Sequence, residues 1–348
     1  MRHLLPLVAL SLAPLATACL EDLPSPSVID DLRVLAIKAE PAEVSPGDTV
    51  ELQALVVDPL TRPPRYAWYA CVVVEQGQGF FGGGSETSTS GGEGTPLSTD
   101  PYGGSCEKRF LAGERFAQSL GSAPTATLQV PDDFLADDEA LKLAFGLPED
   151  LTIPEVVKES FLGIAGVNYT VTLVVEVDGN RVETQKRVNV SLESSLEDNA
   201  PNTNPEGLAM HVARAVEHVT PPTEAPLPEN GQCFAAGAPP IVAGERYALT
   251  PLNIPDPQPK YVVLLAGTTT DQPFEVQTVE ETLFYSWFST AGALKKPVSK
   301  APGQPDNEWS LAPDDAGLVE LWIVARDGRG GTAWCYQPVT VLAPGGTP

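Results

Sequence analysis

Cationic side chains are scarce in this chain. Over 348 residues, 21 Lys and Arg stand against 46 Asp and Glu, for a formal net charge of -25. A surface of that sign repels phosphate backbones and anionic headgroups, which excludes nucleic acid and adsorption on anionic lipid as modes of binding. Strong acidity also favours solubility, and that accounts for most of the charge. Histidine is scarcer still, with three in all: His3, His211 and His218. Few groups titrate near neutral pH, so general acid–base catalysis lacks its commonest agent. His211 and His218 stand seven apart, without the i, i+4 spacing of helical zinc ligands, and neither HExxH nor GxSxG occurs. The expectation is a protein that is not an enzyme. Paired carboxylates for glycoside hydrolysis stay open, because so many acidic residues place some pairs close in any fold.

Long apolar runs are also missing: past residue 18 no stretch reaches the ~18 consecutive apolar residues of a transmembrane helix. The first eighteen residues differ from the rest. Met1-Arg2-His3 is a short basic start, Leu4 to Ala16 is apolar but too short to span a bilayer, and Ala16-Thr17-Ala18 precedes Cys19. This resembles the bacterial lipoprotein signal, with Ala16 where that family more often has Leu. The resemblance implies a signal peptide over 1–18, a thioether-linked diacylglycerol on Cys19 and an acylated amine (palmitate). Several acyl chains together anchor stably, where one is marginal. Leu20 stands where the inner-membrane retention signal has Asp, which implies the outer membrane of the cell envelope, on its periplasmic or its surface side. Residues 19–31 then read as a tether, reaching roughly 40 Å when extended, so the first domain is expected near the membrane.

Four further cysteines remain: Cys71, Cys106, Cys233 and Cys335. An even number in an exported chain suggests disulfides, with three pairings possible. The gaps favour Cys71–Cys106 and Cys233–Cys335, with Cys233 expected just before the first strand of its domain and Cys335 in the last, and no spacing matches a zinc ribbon or a CxxC pair.

The body reads as strands, and its length exceeds a comfortable single core. Val50, Leu52, Ala54 and Val56 alternate after a turn at Pro46-Gly47-Asp48, and Tyr66 to Cys71 is an aromatic strand. Residues 137–145 and 154–162 look helical. Tyr169 to Val177, a turn at Asp178-Gly179-Asn180, and Val188 to Leu192 form a closing hairpin. An Asn/Pro-rich linker covers 194–206. The second unit repeats the outline: 243–249 echoes 46–52, Trp287 echoes Trp68, and Val319–Val324 with Asp327-Gly328-Arg329-Gly330-Gly331 echoes the hairpin. A last strand runs from Trp334 to Leu342. This order suits an immunoglobulin-like sandwich. From Leu283 to Val341 the chain resembles bacterial Ig-like and PKD-like repeats, and as a whole it resembles the Ig-like lipoproteins abundant in myxobacteria. That grouping implies architecture, not activity. The expected class is all-β: a first Ig-like domain over 32–193 with a Gly/Ser-rich loop and short helical insertion, a second over 207–343, and a tail at 344–348.

Several motifs have both a functional and a structural reading. Gly77-Gln78-Gly79-Phe80-Phe81-Gly82 spells GxGxxG, but the Gly/Ser run after it opens no helix to receive a pyrophosphate. Glu197, Asp198 and Asn199, before Ala200-Pro201, resemble the calcium-binding linker of cadherins; hard oxygen ligands at a hinge would let Ca²⁺ stiffen a rod, and a solvated Asx/Pro turn explains them equally. No other cofactor is expected. Trp68 and Trp287 are expected in the core rather than stacked on sugars. Between Cys71 and Cys106 a low-complexity insert displays Phe80, Phe81 and Tyr102, a possible contact element for a partner. Function is expected to be that of a non-catalytic, membrane-anchored scaffold or adhesive binding module with a protein or polysaccharide partner. The alternative is a carbohydrate-binding or carbohydrate-processing surface protein.

Overall fold

The computed structural model describes residues 26–72, 105–136, 138, 142, 162–164, 166–192, 200–217, 220–228, 231–255, 259–269 and 272–345. Among these the regular structure is nearly all strand, in two sandwiches. The putting-together of the first starts from β1 (Arg33–Glu40), the two-residue β2 (Glu43–Val44) and β3 (Thr49–Val57). Val50 and Leu52 alternate with exposed Glu51 and Gln53, so one face of β3 is core. Gly47 turns the chain into it at φ +87°, a left-handed conformation that favours glycine. Then come β4 (Arg65–Val72), α1 (Cys106–Leu111), β5 (Gln118–Gly121), β6 (Thr125–Gln129), β7 (Val167–Val177) and β8 (Asn180–Val190). Asp178 and Gly179, both at positive φ, make the tight turn between the last two.

One sheet has the order β1-β3-β6 and the other β2-β8-β7-β4-β5, with β2 parallel to β8. This is the immunoglobulin arrangement: first, second and fifth strands on one sheet, and the two hairpin-joined final strands beside the Trp-bearing strand on the other. Trp68 is fully buried between the sheets, with its indole N–H donating to the Ala123 carbonyl.

The second sandwich repeats the plan. It comprises β9 (Ala209–Arg214), β10 (Arg246–Leu252), β11 (Lys260–Thr269), β12 (Gln272–Glu280), β13 (Leu283–Ser289), β14 (Ala293–Leu294), β15 (Val298–Ala301), β16 (Asn307–Ser310), β17 (Gly317–Arg326) and β18 (Thr332–Val341). The sheets are β14-β16-β10-β9 and β15-β13-β17-β18; β11 and β12 form a separate two-stranded ribbon. A parallel bridge between Val242 and Leu342 matches the β2–β8 pairing of the first domain. Trp287 is fully buried and donates to Ser299 Oγ.

One expectation changes and one feature is new. Cys233 follows the first strand of its domain rather than preceding it, since β9 comes earlier and Met210 bridges Phe234. The ribbon at 260–280 was not anticipated. Of the segments expected to be helical, 137–145 and 154–162, only Asp138, Lys142 and Leu162 are described, and they have helical backbone.

The two sandwiches lie side by side and point in opposite directions. Backbone bonds join Ile29 and Ser27 to Ser289, where β13 ends; Arg326 Nη2 donates to Leu35 O; and Lys186 Nζ donates to Gly330 O, at the turn between β17 and β18. The N-terminal approach to β1 therefore meets the far end of the second domain, and the end of β1 meets its β17–β18 turn. Ile29, Leu35, Ala36 and Val57 pack with Trp322 and Val324 between the domains, and Phe288 and Trp334 complete this third core. The architecture is a clamped pair, not an extended rod.

Candidate interaction surface

Strand directions decide which connections share an end. In the first domain β4 ends, β6 ends and β7 begins at one end, so the connections 73–117 and 130–166 both leave there. In the second domain β10 ends and β13 begins at the end carrying the β17–β18 turn, so the β11–β12 ribbon leaves there. Antiparallel packing brings those two ends together. The chain enters at the opposite end, through Ser27–Ile29.

At the insertion end the domains are tied by a charged clasp. Arg329, in the β17–β18 turn, pairs at 3.2 Å with Glu43 of β2 and at 3.2 Å with Glu281 before β13; the three side chains are 14%, 10% and 10% exposed. Its guanidinium also lies 4.7 Å from the Tyr261 ring centroid and donates to Ala200 O. Glu43 accepts further bonds from Asn189, Ser191 and the Asn202 backbone. Asp327 holds the turn by accepting from the Arg329 and Gly331 backbone and from Asn202 Nδ2. Asn204 donates to Ala39 O and Glu40 and accepts from the Thr332 backbone. Burial pushes the Glu281 carboxyl above its usual value, and nearby Asp327 adds to this, while Arg329 opposes both.

The residues singled out from sequence fare differently. Cys71–Cys106 and Cys233–Cys335 are disulfide-bonded, one pair per domain. The first closes the base of the Gly/Ser-rich insert, joining the end of β4 to the start of α1. Phe80, Phe81 and Tyr102 lie outside the described residues, as do Cys19 with the whole signal segment, His218, and Glu197, Asp198 and Asn199. Among the described residues no cluster of three His, Cys, Asp or Glu is placed to hold a metal ion. His211 sits on β9 opposite Thr250. Trp68 and Trp287 are core residues with no exposed face for a sugar.

The clasp residues were missed because charged and amide side chains in a polar segment look the same in sequence whether solvated or buried. The interdomain aromatics did leave a signal. Phe284, Tyr285, Trp287 and Phe288, broken only by Ser286, and the run Leu321 to Val324 put apolar side chains on both faces, which marks strands covered on both sides.

No protein-family model and no curated protein matches the chain. Among solved structures it is similar to the adhesin InvE of Yersinia pseudotuberculosis, at 12% identity and a TM-score of 0.17, over 88% of this chain and 58% of that one. The three N-terminal domains of the outer capsid protein Hoc of bacteriophage RB49 match at 11% identity and 0.18, over 90% and 70%. The ectodomain (Ig1–Ig3) of mouse nectin-like molecule 4 matches at 11% and 0.17, over 90% and 65%. The Ig-like assignment rests on strand order and pairing: this chain folds as two immunoglobulin-like sandwiches in tandem.

Proposed function

We propose that the protein is a non-catalytic, lipid-anchored binding module of the outer membrane that holds its insertion-bearing end away from the lipid. The observation that carries this reading is the opposition of the two ends: the chain enters beside Ser289, while three long insertions leave from the other end. A lipid on Cys19 would lie eight residues before Ser27, within roughly 28 Å of the entry end. Both domains would then stand near the bilayer, and the insert carrying Phe80, Phe81 and Tyr102 would face outward. Exposed aromatics among the described residues are Phe110 and Tyr336, on different domains. They offer sugars no shared stacking platform, which favours a protein partner over a polysaccharide.

The test has two arms on the full-length protein. Cys19→Ser should move it from the detergent-rich to the aqueous phase on detergent phase separation. Replacing 77–104 by a short Gly-Ser turn, with both cysteines kept, should leave the melting temperature nearly unchanged and abolish cross-linking to the partner captured by the native protein. Unchanged partition of the Cys19 variant would overturn the anchor. Undiminished cross-linking would overturn the outward-facing insert.

A further inference from the structure

The strongest unassigned feature lies on the side of the second domain away from the first. There β15 is the outer strand of its sheet, three strands from the β18 edge that lies near β1. Its pairing with β13 leaves a defined set of backbone groups unused. Trp287 N donates to Pro297 O, and the register pairs Ser286 with Val298 and Phe284 with Lys300. Antiparallel pairs alternate between bonded and non-bonded, so Pro297, Ser299 and Ala301 face β13. Val298 and Lys300 turn their N–H and C=O groups outward. Their side chains are exposed, and Ser299 and Ala301 are buried.

Beside this edge runs an open groove of about 470 Å³, lined by Phe284, Lys296, Val298, Lys300, Gly303 and Gln304. Its charge departs from the rest of the molecule. From Thr290 to Pro305 the sequence has Lys295, Lys296 and Lys300 and no acidic residue, in a chain of net charge -25. Lys296 is held at the groove by donating to Gln304 O and Asp306 O. Phe284 and Val298, the latter 51% exposed, supply apolar surface between the charges.

We propose that the β15 edge binds an extended acidic peptide segment as an added strand. Outward backbone groups give the pairing, and alternate side chains find the apolar strip and the lysines. Lysine and proline on a short edge also discourage indiscriminate pairing, which makes the edge selective: a strand without acidic residues meets uncompensated charge. The surface lies on the outer strand of the second domain's sheet and uses neither the insert at 77–104 nor a lipid anchor, so its failure would leave the proposed function untouched.

The test uses the full-length protein and a fluorescent decapeptide alternating Glu and Val, read by anisotropy. Saturable binding is expected, weakened at least tenfold by Lys296→Glu/Lys300→Glu and absent for a Lys/Val peptide. Val298→Pro is the decisive variant. It deletes an N–H that makes no bond to β13, so the melting temperature should hold, yet peptide binding should fall at least tenfold. Binding indifferent to Val298→Pro would reduce the surface to a cationic patch and overturn strand addition. Binding of a polyuronate in preference to the peptide would overturn the proposal, as would no binding of the peptide at all. Should Val298→Pro lower the melting temperature, amide exchange decides: protection at Val298 and Lys300 on adding peptide supports the proposal, and its absence overturns it.

Discussion

The two sandwiches share a strand order and a buried Trp at the same place on the strand before the sheet edge, yet differ in everything attached to their ends. Domain one lengthens the connections after β4 and after β6; domain two lengthens the one after β10. Their disulfides differ too. Cys71–Cys106 closes an edge insertion, while Cys233–Cys335 ties the connection after β9 to the final strand. Cys71–Cys106 stands in a small cluster of its own apart from the core around Trp68, whereas Cys233–Cys335 belongs to the core around Trp287 and joins a segment bonded to β9 to β18 of the facing sheet. The core plan is thus repeated, and the ends are where the domains were free to diverge.

The disulfides give the largest expected contrast. In the chain-entropy picture, closing the 102-residue span of domain two stabilises by up to ~4.7 kcal/mol, and the 35-residue span of domain one by ~3.8 kcal/mol. Cys233→Ser/Cys335→Ser should therefore lower the urea midpoint more than Cys71→Ser/Cys106→Ser. The second pair should matter chiefly to the order of α1, followed by amide exchange. Equal losses would show that the domain-one bridge does more than close an insert.

Sequence carried the core of this architecture because its signals are local. Alternation placed Val50 and Leu52 inward, Asp178-Gly179 made a hairpin, and Trp68 and Trp287 marked equivalent strands. The relation between the domains was not local. Asn202 and Asn204 sit in a segment read as a linker, and both are buried, bonded into both domains. An amide side chain in an Asn/Pro-rich stretch suits a solvated turn equally well, and only the facing carbonyls decide. Glu43, Glu281 and Arg329 come from elements more than forty residues apart, so no spacing rule joins them. Residues 197–199, the candidate calcium ligands, lie outside the described residues, just before the segment that the clasp holds.

The clasp offers the next contrast, between the interface and either core. Arg329→Ala leaves Glu43 and Glu281 half-paired in a nearly dry site, where breaking an ion pair costs about 3 kcal/mol or more. The loss should fall on domain association: small-angle scattering should show a larger radius of gyration, and the fluorescence of Trp322 and Trp334 should shift to the red. Arg329→Met, which fills similar volume, should not rescue it, because both carboxylates stay unpaired. A variant that melts earlier but stays compact would place the energy of the clasp inside domain two alone.

The smallest expected effect is one of pH, and it separates the domains by sign. In domain one, Asp58 accepts from the Arg62 side chain at 2.8 and 2.9 Å and from the Arg62 backbone. Those bonds, the Arg62 side chain foremost, hold its carboxyl down at about 2, against 3.8 ordinarily. Its contribution is complete above the unfolded value and disappears as pH falls from 3.8 towards 2. At the clasp the sign is reversed. Glu281 has its carboxyl raised above 4.5 by burial, so just above that pH the folded state binds more protons than the unfolded one. Stability from this group therefore rises as pH falls through its folded value to 4.5, and is lost as pH climbs again. Urea midpoints of Asp58→Asn and Glu281→Gln, taken from pH 7 to pH 2 beside the native protein, read the two signs separately. The deficit of Asp58→Asn should be constant down to about pH 4 and close towards pH 2. Glu281→Gln should flatten the slope above 4.5 and leave the acid limb unchanged. An Asp58→Asn deficit that persists at pH 2 would mean the turn is held by its backbone bonds rather than by the charge of Asp58.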